Sequence, residues 1–273
     1  MQHVVTQPAA PLPVAGGALR VHMVPAAKDN LSWVLEADGR ALVVDGPDAA
    51  PVLAYCEAQG LEIVGVLNTH THWDHIGINE GLPAGLRIVG PARAAADVPG
   101  LTEPVDDGAE VSFGDVVGRV LLTEGHIDGH VCYLFGDALF SGDTLFTGGC
   151  GRLFDGPPEK MFRSLLRLAE LPGDTKVFCG HEYTEDNLAF ARSVEPENEA
   201  LLARIERVRA IRSQGAAAVP STLEEERATN PFLRPGSPTL AAQVAEAIGH
   251  DLATPLDIFT ATRTLKDRGH HRR

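Results

Sequence analysis

The stretch Thr69-His70-Thr71-His72-Trp73-Asp74-His75 places four candidate metal ligands, His70, His72, Asp74 and His75, within six residues. No packing rule asks for three imidazoles and a carboxylate at this spacing. Imidazole nitrogen and carboxylate oxygen are what zinc or iron binds where thiolates are absent. The bland alternative is a polar loop that happens to carry three histidines, and the spacing speaks against it. Three further positions offer the same chemistry: His126 after Gly125, Asp143 after Gly142, and His181 after Gly180. Five His and two Asp are too many for one tetrahedral ion and suit two. The expected partition puts His70, His72 and His126 on one ion and Asp74, His75 and His181 on the other. Asp143 would bridge, because a carboxylate has two oxygens. His130 lies four residues after His126, and either could ligate; His126 is the expected ligand and His130 a buried, hydrogen-bonded support.

Two cations about 3.5–4 Å apart can share a water and lower its pKa from ~15.7 towards ~7. The resulting nucleophile needs neither serine nor cysteine, and one cation can polarise a carbonyl and hold the oxyanion that forms from it. Asp74, His75 and Asp143 are the expected catalytic residues. This chemistry is hydrolysis of an acyl or a phosphoryl bond, and the ligands alone do not choose between them.

Positioning these groups requires strand ends. Ile63 to Leu67 is a short, apolar, partly β-branched run that reads as a buried strand, with the His-rich stretch as the loop beyond it. His126, Asp143 and His181 each follow a strand-like run as well: Val111–Leu122, Ala138–Ser141 and Lys176–Cys179. Strand ends at one edge of a layered α/β sheet converge on a common crevice. Upstream, Leu19–Val24, Ser32–Glu36 and Ala41–Val44 read as strands, with Asp38-Gly39 as a hairpin turn. Ala49–Gln59 reads as a helix capped by Gly60, and Pro158–Leu171 as an amphipathic helix with proline in its first turn. Past Tyr183 strand signals vanish. Helices are expected over Glu197–Arg212, after the capping-box spacing of Ser221–Glu224, over Thr239–Ile248, and from Thr254-Pro255 to about Lys266. The expected domains are a flexible extension over 1–17, rich in Pro, Ala and Gly, an α/β catalytic domain over 18–182, and an all-helical domain over 183–273.

Composition narrows the function classes. With 273 residues, 44% of them hydrophobic, the chain can bury a substantial core. A formal net charge of −14 disfavours non-specific nucleic-acid or anionic-membrane partners. No apolar run approaches a membrane span, and the first residues have neither the cationic start nor the apolar stretch of a signal peptide. A cytoplasmic location is expected. Cys56, Cys132, Cys150 and Cys179 form no CxxC pair, which argues against a zinc ribbon or a disulfide scaffold.

The His-x-His-x-Asp-His stretch, followed in order by Gly-His, Gly-Asp-Thr and Gly-His, resembles the metallo-β-lactamase fold superfamily. A closer resemblance covers most of the chain. Gly142-Asp143-Thr144-Leu145-Phe146, Gly148-Gly149-Cys150-Gly151-Arg152, Cys179-Gly180-His181-Glu182-Tyr183-Thr184 and Asn187-Leu188-Ala189-Phe190-Ala191 are similar to glyoxalase II, the hydroxyacylglutathione hydrolase family. Val219-Pro220-Ser221-Thr222-Leu223 and Asn230-Pro231-Phe232-Leu233-Arg234 extend the likeness into the helical part. The resemblance implies an α/β fold, a metallo-β-lactamase-like αββα sandwich with a C-terminal all-helical domain. It implies two divalent ions, zinc first and iron or manganese as alternatives. The implied reaction is hydrolysis of S-D-lactoylglutathione, a small-molecule glutathione thioester, to D-lactate and glutathione, by a monomer. It also implies that Arg152, Phe154, Tyr183, Arg263 and Lys266 hold the glutathione. Arg263 and Lys266 are spaced i,i+3, so they share a helix face, and guanidinium suits a glutathione carboxylate. A thiol of pKa ~8.5 leaves without a strong general acid.

Besides the extra N-terminal extension and Ile127, which stands for a usual threonine after His126, three positions depart from the family pattern. Glu124 stands where proline is usual before Gly125-His126, Phe154 stands for a more usual tyrosine, and Leu31 follows Asn30 where an aromatic is usual. Two alternatives are weighed against the thioesterase: a mononuclear iron persulfide dioxygenase of the same superfamily, and another hydrolase on the same fold. A metal-binding scaffold is a third class, and the filled ligand set disfavours it.

Overall fold

The computed structural model of the chain describes residues 2–272. Met1 and Arg273, the end residues of the expected extension and helical domain, lie outside the described residues.

Two sheets stacked face to face form the centre. The first runs in spatial order β1 to β7: β1 (Leu12–Val14), β2 (Leu19–Ala26), β3 (Asn30–Ala37), β4 (Arg40–Val44), β5 (Glu62–Leu67), β6 (Arg87–Pro91) and β7 (Glu103–Val105). Its N-terminal strands are antiparallel. From β4 onward they run parallel, joined by crossovers such as α1 (Ala49–Gln59). Asp48 caps α1 through its side chain, and Gly60, in the left-handed region, ends it. Beyond β5 come two single turns of helix, α2 (Trp73–Ile76) and α3 (Ile78–Gly81).

The second sheet is built from β8 (Glu110–Phe113), β9 (Val116–Leu122), β10 (Val131–Phe135) and β11 (Ala138–Gly142), with β14 (Lys176–Cys179) beside β11. A small hairpin, β12 (Leu145–Phe146) with β13 (Gly149–Cys150), folds the glycine-rich loop back on itself. The last strand of the sheet is β15 (Ser221–Thr222), which pairs antiparallel with β14 and covers its free edge.

Side-chain alternation explains the layers. In β3, Leu31, Trp33 and Leu35 point into the space between the sheets, while Val34 faces outward to α1. In β10 and β11, Val131, Tyr133, Phe135 and Phe140 enter the same space, and Cys132 and Leu139 face the other way. Each such side chain contributes roughly 1.5–3 kcal/mol by leaving water. Helix α4 (Pro158–Ala169) lays Met161, Leu165 and Leu168 on the outer face of the second sheet.

The rest of that side is covered by α5 (Thr184–Val194), α7 (Leu223–Thr229), α8 (Pro238–Ile248) and α9 (Pro255–Asp267), while α6 (Glu199–Arg212) packs on α5. Phe190, Phe232 and Phe259 are buried there. The helical part is anchored by a buried ion pair between Arg204 and Glu226. Glu226 Oε2 also accepts the backbone N–H of Gly148 and the side chain of Asn230, each at 2.9 Å.

The expected flexible extension over 1–17 is tied down at several points, although Thr6 to Pro11 stay exposed. Val5 and Val14 are buried in the inter-sheet core, β1 pairs with β2, and Val4 N–H donates to Lys28 O at 2.9 Å. Thr6 and Gln7 donate to Gly215 O, so the segment bridges the first sheet to the loop after α6. Two valines and a run of backbone hydrogen bonds outweigh the Pro and Ala content that suggested looseness.

Candidate metal centre

All seven expected donors meet in space, at the ends of β5, β9, β11 and β14. His70, His72, His126 and Asp143 each offer an atom within 4.8 Å of the others, and Asp74, His75 and His181 form a second such set. In the first set Nε2 of His70 and Nε2 of His126 lie 3.0 and 2.9 Å from Nδ1 of His72. In the second, Asp74 Oδ2 lies 3.4 Å from His181 Nε2 and 3.9 Å from His75 Nε2. Asp143 stands between the sets, with Oδ1 3.4 Å from His75 Nε2. Its Oδ2 lies 3.6 Å from His126 Nε2 and 3.5 Å from His181 Nε2.

A second layer of acceptors turns these nitrogens inward. His75 Nδ1 donates to Asp45 Oδ2 at 2.9 Å, His181 Nδ1 to Asp29 Oδ1 at 3.0 Å, and His126 Nδ1 to the Arg152 carbonyl at 2.8 Å. Thr69 Oγ1 donates to Asp45 Oδ2 at 2.6 Å, which leaves it to accept from His70 Nδ1 at 3.0 Å. An imidazole that donates from Nδ1 presents a lone pair at Nε2, the form that binds a cation. Asn30 Nδ2 donates to Asp74 Oδ2 at 3.0 Å. Asp29, Asn30 and Asp45 were not singled out as site residues from sequence. The signal was faint: Asp45-Gly46 sits at a strand end, as Asp143 does.

The donor set fits divalent cations. His75 Nε2 and Asp143 Oδ1 are buried and have no hydrogen-bond partner, a costly arrangement that a cation would resolve. Electrostatics agree. Burial opposes charge on His75, yet Asp143 and Asp45 raise it well above the ordinary histidine value. Burial likewise works against charge on His181, but Asp143 and Asp29 raise it to about 9. Burial pushes the Asp143 carboxyl up, and His181 and His75 hold it well below the usual carboxylate range. Burial keeps His70 neutral, with His75 adding to the effect.

Glycines let the chains approach. Gly142 lies in the left-handed region at φ 47°, and a Cβ there would sit 2.7 Å from His130 Nε2. A Cβ on Gly180 would stand 2.7 Å from Asp143 Oδ1.

His130 lies outside both donor sets. It is fully buried and stacks on His70 at 4.7 Å between ring centres, and its Nε2 accepts the Asp143 backbone N–H at 3.1 Å. Core residues carry the loops that hold the donors. Tyr133 donates its hydroxyl to Asn68 O just before Thr69, and Trp33 Nε1 donates to Cys179 O just before His181, both at 2.9 Å. At the departure from the family pattern, Glu124 takes over from proline: its Oε1 accepts from Gly129 N–H at 3.1 Å and from Arg93 at 3.3 Å.

A pocket of about 560 Å³ opens beside the second donor set and runs between the two parts of the chain. Arg152, Tyr183, Arg263 and Lys266 line it. Tyr183 stacks on His181 with ring centres 4.7 Å apart, which ties the pocket to the centre. Arg263 is buried and engaged: it donates to Cys150 O and to Asp267, both at 3.0 Å. Only its Nε–H has no partner. Phe154 is outside the pocket lining. It packs edge-on against His72 and His126, with ring centres 5.4 and 5.3 Å away. No helix among the described residues is long and apolar enough to cross a membrane.

Comparisons with known proteins agree with this architecture. Residues 27–181 match the model of the metallo-beta-lactamase superfamily, and residues 182–269 match that of the hydroxyacylglutathione hydrolase C-terminus. A hydroxyacylglutathione hydrolase of Methylococcus capsulatus is 46% identical over 91% of this chain and 98% of its own. One from Gloeobacter violaceus is 45% identical over 91% and 99%. Among solved structures, a metallo-beta-lactamase from Staphylococcus aureus shares the fold at a TM-score of 0.59 and 20% identity, over 87% of this chain and 68% of its own. ETHE1 from Myxococcus xanthus does so at 0.56 and 24%, over 96% and 99%. With its two matched segments in the order and nearly the full length of those relatives, the chain belongs to the hydroxyacylglutathione hydrolase family of the metallo-β-lactamase superfamily.

Proposed function

We propose that this chain is a metal-dependent thioester hydrolase that cleaves S-D-lactoylglutathione, and related 2-hydroxyacyl glutathione thioesters, to the hydroxy acid and glutathione. The observation that carries this reading is the junction of a seven-donor centre with a pocket lined by charges of both signs, Arg152, Arg263 and Lys266 among them, through the stacked His181–Tyr183 pair. His70, His72 and His126 would hold one divalent ion, Asp74, His75 and His181 a second, and Asp143 both, with zinc the first candidate and iron or manganese the alternatives. Ions there supply a water acidic enough to lose its proton near neutral pH and a Lewis acid for the thioester carbonyl.

The chain's own residues do the rest. Asn30 fixes one Asp74 oxygen, and Asp29 and Asp45 fix the two rings of the second set. Arg152 and Lys266 offer charge to a glutathione carboxylate, Arg263 lines the pocket beside them, and Tyr183 forms the wall nearest the centre. Phe154 shields the first set from solvent. Residues 18–182 serve as the catalytic part and 183–273 as the substrate-binding part. We also infer a monomer that works in the cytoplasm, in keeping with four free, buried cysteines.

The test is direct. Purified, metal-loaded protein is given S-D-lactoylglutathione, and thiol release is followed with a chromogenic disulfide. An intact thioester refutes the reading. Oxygen uptake on glutathione persulfide, with one iron per chain, would instead support the oxidative alternative.

A further inference from the structure

The pocket continues past Lys266 to a group of charges that the reading above leaves unused. Asp186, on the first turn of α5, lines it together with Arg272, near the chain end. Asp186 is held from three sides: Oδ2 lies 2.5 Å from Lys266 Nζ, and Oδ1 lies 3.0 Å from His271 Nε2 and 2.7 Å from Arg272. The His271 side chain is buried against the Phe190 ring, so it fixes the carboxylate in place. The carboxylate and the Arg272 guanidinium are 40% and 69% exposed, so both are open to a ligand.

An exposed ion pair of this kind is worth little by itself and opens readily. It also has a chemical complement. Glutathione ends in a γ-linked glutamyl group that carries an α-ammonium and an α-carboxylate on one carbon. Inserted between Asp186 and Arg272, that group would give an alternating row of charges, each flanked by its opposite. A ligand with a carboxylate alone would meet Asp186 as a like charge and gain less.

We propose that Asp186 and Arg272 form a subsite for the zwitterionic α-amino acid end of the thiol carrier, Asp186 accepting from its ammonium and Arg272 donating to its carboxylate. The inference rests on the thioesterase reading. It assigns specificity for the intact tripeptide to Asp186 and Arg272 on the pocket wall.

The test compares two substrates on the full-length, metal-loaded protein: S-D-lactoylglutathione and its N-acetylated form, in which a neutral acetamide replaces the ammonium. The unmodified protein should show a KM about three- to tenfold higher for the acetylated substrate with little change in kcat. Asp186→Asn should erase that difference, and Arg272→Ala should raise KM for the parent substrate. Equal KM values for the two substrates on the unmodified protein would overturn the proposal without any variant. A lower KM for both substrates in Asp186→Asn would also overturn it, because Asp186 would then merely compete with substrate for Lys266. If the protein turned over neither substrate, the thioesterase reading itself would fail, an outcome distinct from either of these.

Discussion

His130 Nε2 accepts the backbone N–H of Asp143, so an imidazole that is no donor itself fixes the residue lying between both donor sets. On its other side, Nδ1 lies 3.1 Å from the hydroxyls of Thr123 and Thr144. Replacing His130 with alanine leaves the Asp143 N–H buried and unpaired and removes the ring stacked on His70. Metal affinity should fall about 10–100-fold, the range for supports one step from a ligand. Competition against a graded series of chelators measures this. His130→Gln, which keeps an acceptor, should recover part of the loss; affinity unchanged in the alanine variant would contradict the assignment.

Removing metal should abolish thioester hydrolysis and lower thermal stability together, since the buried His75 Nε2 and Asp143 Oδ1 lose their only partners. Ligand at about 1,000 times its dissociation constant stabilises by roughly 4 kcal/mol. A melting curve with and without chelator, beside elemental analysis, reads both effects. Two ions per chain are expected, and full activity in metal-free protein would exclude the centre as the catalyst.

Glu226 is buried, pairs with Arg204 and accepts the Gly148 N–H, so it couples the helical part to the glycine-rich loop. Glu226→Ala leaves the buried Arg204 guanidinium with Glu225, 3.1 Å from its Nε, and the Thr229 hydroxyl, strips the Gly148 N–H of its acceptor, and should destabilise the protein by about 3 kcal/mol. Denaturant unfolding measures it. A loss below about 1 kcal/mol would mean that Arg204 finds another partner.

Asp186 predicts a pH dependence. Burial pushes its carboxyl up, but hydrogen bonds from Lys266, His271 and Arg272 prevail and hold it well below the usual range. A depressed carboxyl stabilises fully above its unfolded pKa of ~3.9, and the contribution fades as pH falls through the folded value. Solvent screening limits the effect to about 1 kcal/mol or less. Asp186→Asn should therefore be the less stable protein at pH 7, with the gap shrinking as pH drops below ~4. A gap that holds constant down to pH ~3 would separate the stability from the ion pairs.

The donors were legible in the sequence because metal ligation needs rare residue types, and the turns after strands concentrate them. The partition of His70, His72 and His126 from Asp74, His75 and His181 could be proposed for the same reason. Asp29, Asn30 and Asp45 were not, since a carboxylate or amide at a strand end is common and its partner lies far along the chain. Helices α4 and α9 announced themselves through proline starts and apolar spacing. Helix α5 was seen only as a family motif, because burial on several sides leaves it no clean stripe: Asn187 and Thr184 are buried beside Leu188 and Phe190. The anchoring of the N-terminal segment was not legible because its backbone partners include Lys28 and Gly215, far along the chain, which composition does not record.

Strand β15 joins the catalytic sheet from a position some forty residues beyond β14 in the chain. A gene product truncated after the last donor would keep every ligand and yet leave β14 with an open rim, the surface on which strands of separate molecules recruit one another. The hydrolytic part therefore cannot be borrowed as a free-standing module: evolution, like an engineer, must carry both halves together or reseal that rim anew.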